Sequence, residues 1–130
     1  MDPLAGLHHV ALSVRDLDAS LAWYREVLGF EETFRDESET RRMAVTRFPG
    51  QRHTFGLVEH GGGGAGFAPQ NLGLDHVAFS VSSGEELAAW VLHFDGLGVL
   101  HSGVIDTPFG GMLHFKDLDG IALALFWERT

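Results

Sequence analysis

Small or polar residues alternate with larger apolar ones over residues 7–14, where His9, Ala11 and Ser13 interleave with Val10, Leu12 and Val14. A period of two marks a strand with one buried face, and it turns His9 away from the apolar side. The period then changes. Asp16 is a residue type that caps helices, Leu17, Leu21, Tyr24 and Leu28 recur at helical spacing, and Gly29 supplies a left-handed stop. Three further strand patterns follow at residues 30–35, 41–48 and 53–60, with a hairpin turn at Pro49-Gly50-Gln51 between the last two. The first half reads as β-α-β-β-β.

The second half repeats it. His9-Val10-Ala11-Leu12-Ser13-Val14 returns as His76-Val77-Ala78-Phe79-Ser80-Val81, and Leu28-Gly29-Phe30 is matched by Leu97-Gly98-Val99. A strand at residues 74–81 leads to a capping-box start at Ser83 with Glu86 and a helix with Leu87, Trp90, Val91 and Phe94 inward, which Gly96 and Gly98 end. Strands follow at residues 99–105, 112–116 and 121–127, with turns at Pro108-Phe109-Gly110-Gly111 and Asp117-Leu118-Asp119-Gly120.

The expected fold is α+β. Two tandem βαβββ modules, about residues 5–60 and 72–128, form one domain of 130 residues whose curved mixed sheets enclose a central cleft. A half of about 65 residues buries too little surface to be comfortable alone, which is why a shared core or sheet is expected. A two-fold arrangement would set His9 and His76 opposite each other across that cleft. The glycine-rich connector at residues 61–71 begins Gly61-Gly62-Gly63-Gly64-Ala65-Gly66 and reads as flexible. Neither a GK[ST] sequence nor a following helix accompanies it, so it is not a phosphate loop.

Composition narrows the partners. Eighteen acidic against nine basic residues give a formal charge of -9, which disfavours nucleic acid and anionic membranes and leaves small neutral or cationic ligands compatible. Seven of the basic residues, Arg15, Arg25, Arg35, Arg41, Arg42, Arg47 and Arg52, lie in the first half, and only Lys116 and Arg129 in the second. There is no cysteine, which removes disulfides, thiolate metal sites and cysteine nucleophiles. With no signal-like N-terminus and no long apolar segment, a cytoplasmic location is expected.

Four segments in combination resemble the vicinal oxygen chelate superfamily of glyoxalase I, extradiol dioxygenases, and fosfomycin- and bleomycin-resistance proteins. They are Leu7-His8-His9-Val10-Ala11-Leu12-Ser13-Val14-Arg15-Asp16, Trp23-Tyr24 with Leu28-Gly29-Phe30, Leu74-Asp75-His76-Val77-Ala78-Phe79, and Asp117-Leu118-Asp119-Gly120. The resemblance implies a divalent metal, Fe, Mn, Ni or Zn, with His9 and His76 as ligands, and a homodimer. It also implies a carboxylate on the fourth strand of one or both modules. This chain has Ala124 and Gly56 at those positions. Two imidazoles alone hold such ions weakly.

Strand parity supplies substitutes. His114 shares a face with Met112 and Lys116, Ala124 with Ala122 and Phe126, and His60 with Gly56. His114 is the leading candidate, as third ligand or as a general acid or base, and His60 the second. Glu59 falls on the opposite face. His60, Phe55, Phe109, Met112 and Phe126 are the expected substrate-binding residues, with Phe48 and Trp127 also on strands that border the cleft. Trp23, Tyr24, Trp90 and Phe94 are expected in the core, and His8, His53, His93 and His101 are read as structural. Arg41, Arg42, Arg47 and Arg52 either meet a substrate carboxylate or form a solvated strand edge. Three functions stay open: a metal-assisted lyase, isomerase or dioxygenase, a metal-free protein sequestering a cationic or aromatic compound, and a metal-independent enzyme using His114.

Overall fold

The computed structural model describes residues 1–52, 54–61 and 64–129. His53 and the connector residues Gly62 and Gly63 lie outside the described residues. The chain forms two compact units, Met1–Gly64 and Ala65–Thr130.

In the first unit, β1 (His9–Ser13), α1 (Leu17–Leu28), β2 (Glu31–Glu37), β3 (Arg41–Arg47) and β4 (Thr54–His60) follow in that order. In the second, β5 (Val77–Ser80), α2 (Gly84–Leu97), β6 (Ile105–Thr107), β7 (Gly110–Lys116) and β8 (Ala122–Glu128) repeat it. The sheets have strand orders β1-β4-β3-β2 and β5-β8-β7-β6. In each, the first strand runs parallel to the fourth and the other pairings are antiparallel. The mixed sheets and the duplicated βαβββ order agree with the sequence pattern.

Both helices begin and end on the expected residues. Asp16 accepts from the Ala19 amide, Ser83 accepts from the Glu86 amide, and Gly29 and Gly98 adopt left-handed φ of 77° and 71° as C-caps. Gly96 lies inside α2 rather than ending it. One face of each sheet carries the core. On α1, Leu17, Leu21, Tyr24, Val27 and Leu28 are buried with Leu12, Phe30, Ala44, Phe55 and Leu57. On α2 only Leu87 and Phe94 are buried, and Trp90 and Val91 are half-buried. Trp23 is half-buried as well. Complete burial of side chains of this size contributes roughly 1.5–3 kcal/mol each. Thr46 lies in this apolar layer because its Oγ1 donates to the Phe55 carbonyl at 2.6 Å.

The largest departure from the pattern is the second strand of the second module. Residues 99–104 are not a strand apart from a single bridge from His101 to Phe115, and β6 begins at Ile105. His101 explains this: its Nε2 meets Asp95 Oδ1 at 2.6 Å and its Nδ1 accepts from the Gly103 amide at 3.0 Å. The side chain ties the segment to α2 and to its own backbone, and Gly103 turns it with a φ of 73°. The imidazole thus competes with ladder pairing.

Candidate functional site

Residues paired across a ladder share a sheet face, so the registers show which side chains leave the core. In the second module Ala78 pairs with Ala124 and Ser80 with Phe126, while His114 pairs with Ala124 and Met112 with Phe126. Ile105 pairs with Met112. These residues occupy the face away from α2. Met112 and Phe126 are half-buried and His114 is exposed. His114 Nε2 lies 3.1 Å from Met112 Sδ. Its main chain is doubly anchored, since the His114 amide donates to Ser102 Oγ and its carbonyl accepts from the Ser102 amide, both at 3.0 Å. Ser102 had no signal in the sequence, because it acts across a break in strand pairing.

The first module repeats this register with other residues. Ala11 pairs with Gly56 and Gly56 with Val45, so Val45 stands where His114 stands in the repeat. His9, Thr54, Met43, Val58, Arg41 and His60 share that open face. Gly56 is closely approached, for a Cβ there would sit 3.1 Å from Ala11 Cβ. Met43 is the repeat partner of Met112, and only the ladder register reveals it.

Other expected site residues go elsewhere. Phe55 is a correction: it faces α1, is 3% exposed, and meets the rings of Tyr24 and Phe30 at 5.6 and 5.4 Å. Its neighbours Thr54 and Gly56 take the open face, and a one-residue offset along a strand reverses sides. Phe48 packs its ring on Phe30 at 4.8 Å. Trp127 lies on the helix side next to Gly84 and carries Arg129 over its ring at 5.1 Å. Phe109 is 74% exposed, in the turn between β6 and β7. Glu59 faces α1, where its Oε1 accepts from the Leu17 amide at 3.0 Å.

The histidines that open the modules have different neighbours. His76 Nδ1 lies 2.7 Å from Asp75 Oδ1, whereas His9 Nδ1 lies 2.9 Å from His8 Nδ1. With neutral imidazoles, Asp75 requires the Nδ1–H tautomer of His76, and the His8–His9 contact requires one donor and one acceptor. Position by position, residue 8 matches residue 75. Among the described residues no three His, Cys, Asp or Glu side chains group in a way that would hold a metal ion. The fourth-strand positions add no ligand, because Ala124 is buried without a donor atom and Gly56 has no side chain. Two imidazoles without a carboxylate are a poor donor set for a divalent cation.

Electrostatics concentrate on the helix side of the first module. Asp18 receives Arg42 Nη2 at 2.8 Å and Arg35 Nη1 at 2.7 Å. Those bonds, Arg42 foremost, hold the Asp18 carboxyl below its ordinary 3.8. Arg35 is raised above its ordinary value, chiefly by Glu32, and Arg42 chiefly by Asp18. No helix among the described residues is long and apolar enough to cross a membrane.

Known proteins share this architecture. The model of the Glyoxalase/Bleomycin resistance protein/Dioxygenase superfamily matches residues 6–125. Putative ring-cleaving dioxygenase MhqA of Bacillus subtilis (strain 168) is 29% identical over 133 residues, covering 92% of this chain and 39% of that protein. The chain therefore spans about two fifths of that relative's length. A glyoxylase/bleomycin resistance protein/dioxygenase domain from Frankia sp. EAN1pec is 38% identical, with a TM-score of 0.90 and 98% of this chain and 100% of that one covered. A mutant fosfomycin resistance protein, FosX, from Listeria monocytogenes, complexed with Mn(II) and dihydroxypropylphosphonic acid, is 22% identical with a TM-score of 0.74, covering 98% of this chain and 95% of that one. At that identity the likeness is one of fold. With the family model spanning nearly its whole length and the repeated βαβββ topology beneath it, the chain belongs to the Glyoxalase/Bleomycin resistance protein/Dioxygenase superfamily, the vicinal oxygen chelate proteins.

Proposed function

We propose that this chain binds a small organic molecule against the open face of its second module without a resident metal, and that His114 is the polar group that orients the ligand. The observation that carries this reading is the pairing of His114 with Ala124, which puts an imidazole beside the position where the family resemblance leads one to expect a glutamate. Met112 and Phe126 flank it on the same face. Apolar walls with one titratable group are the usual composition of a small-molecule site, and an imidazole so placed is able to donate, accept or exchange a proton. Phe109 adds an exposed ring at the edge of the module. A flat aromatic or cationic compound suits these walls and the net charge of -9.

The test is a thermal-shift screen of aromatic and cationic compounds. A ligand at about a hundred times its Kd stabilises by about 2.7 kcal/mol. The expected result is stabilisation by at least one compound, lost in His114→Ala. Stabilisation by none, or stabilisation unchanged in that variant, overturns the reading. A second reading, a divalent metal held by His9 and His76, is favoured by one feature: Asp75 at Nδ1 would orient His76 as metal-bound histidines commonly are. Elemental analysis of untagged protein separates the two. Near-stoichiometric transition metal, lost in both His9→Ala and His76→Ala, would establish it over the metal-free reading. The proposal includes a homodimer, and light scattering that returns the 14.2 kDa of a single chain would overturn that part.

A further inference from the structure

We propose that Arg41 and His60 form an anion-binding corner on the first module, taking a carboxylate or phosphate group of a small ligand. The two are cross-strand partners where β3 begins and β4 ends, on the face away from α1. Four arginines lie on the strands of this module. Arg35 and Arg42 are ion-paired on the helix side, and Arg47 is paired with Glu31 at the far end of β3. Arg41 differs from them. Its guanidinium has no carboxylate partner among the described residues, and its contact is from Nη2 to Met43 Sδ at 3.6 Å. A thioether is a weak acceptor, so the planar fork keeps donors for an incoming oxyanion.

The backbone beneath is fixed. The Arg41 amide donates to Ser38 Oγ at 3.2 Å, its carbonyl accepts from the Ser38 amide at 2.8 Å, and the Gly61 amide donates to the Thr40 carbonyl at 3.1 Å. Asp36 is the nearest acidic residue on this face by register, opposite Met43, and it makes no ion pair with Arg41. The repeat shows that the fold does not need these charges. At the matching rung of the second module Gly110 faces Glu128, a glycine opposite an anion. The corner has therefore diverged in sign between two copies of one architecture. Arginine offers the bidentate geometry that carboxylates and phosphates accept, and a cross-strand imidazole adds a further N–H donor.

The test is an NMR titration of the 15N-labelled full chain with inorganic phosphate and, separately, with benzoate at constant ionic strength. Saturable shifts at Arg41, His60 and Gly61 are expected for at least one anion, and the one that saturates assigns the group. Arg41→Gln should weaken that binding about tenfold. Arg47→Gln, which alters an already paired arginine on the same strand, should leave it unchanged. Shifts that stay linear with both anions, or equal affinity in Arg41→Gln, overturn the proposal. His114→Ala should have no effect on it, so this corner and the ligand face of the second module succeed or fail separately.

Discussion

His114 faces Ala124 across the β7–β8 ladder at the rung where Val45 faces Gly56 in the first module. One copy of the repeat thus carries an imidazole where the other carries an apolar side chain. His114 is exposed, and its bonds to Ser102 use its backbone. His114→Ala should therefore shift stability by no more than about 0.5 kcal/mol while removing ligand-induced stabilisation. Urea denaturation of the free variant checks the first half, and a loss above about 2 kcal/mol would make the residue structural instead.

Much of this was legible because duplication and alternation are properties of sequence. His9 and His76 mark the repeat, Asp16 and Ser83 mark the helix starts, and parity within each strand sets His114 with Met112, Phe126 with Ala124, and Glu59 opposite His60. Phe55 is the exception, because the alternation that separates Glu59 from His60 and Gly56 also puts Phe55 on Glu59's side, and an aromatic ring suggests a ligand wall only where its strand parity agrees. Residues 99–104 looked strand-like, but the His101 contacts to Asp95 and Gly103 override local propensity. Ser102, Met43 and Arg41 acquire meaning only from long-range pairing.

Glu59 ties the end of β4 to the start of α1, accepting from the Leu17 amide at 3.0 Å with Arg42 Nη1 3.5 Å away. That amide is one of the four at a helix start that have no partner within the helix. Glu59→Ala should cost about 1–2 kcal/mol, and Glu59→Gln should cost less because its amide oxygen still accepts. Equal losses in the two variants, read from urea denaturation, would mean that charge rather than the hydrogen bond matters. The repeat solves the same junction with Trp127 against Gly84.

Asp18 gives the first module a pH dependence. Its carboxyl is held below 3.8 by Arg42 and then Arg35, so the folded state favours the ionised form. A lowered folded value stabilises above the unfolded value and is lost as pH falls through the folded one. The stability gap between the wild type and Asp18→Asn should therefore be flat from neutral pH to about pH 5 and close below 3.8. Because these groups are exposed, about 1 M salt should also narrow the gap. A gap that widened on acidification would contradict the assigned partners.

Gly110 and Gly111 are adjacent on β7, yet they should respond differently to the same substitution. At Gly110 a Cβ would lie 1.8 Å from the Trp127 carbonyl oxygen and 3.0 Å from the Arg129 amide nitrogen, with φ at 152°. Backbone cannot yield there without opening the β7–β8 ladder, which carries both His114 and Phe126. Gly110→Ala should cost about 3 kcal/mol or more, the range of strain that cannot relax. At Gly111 the nearest atom is Leu87 Cδ2 at 3.0 Å, the far end of a side chain that is able to change rotamer. Gly111→Ala should cost roughly 1 kcal/mol, since a crowded methyl is offset by the entropy that alanine removes from the unfolded chain. Parallel denaturant melts read the difference, and near-equal midpoints would show that the close approach at Gly110 does not govern the stability of the second sheet.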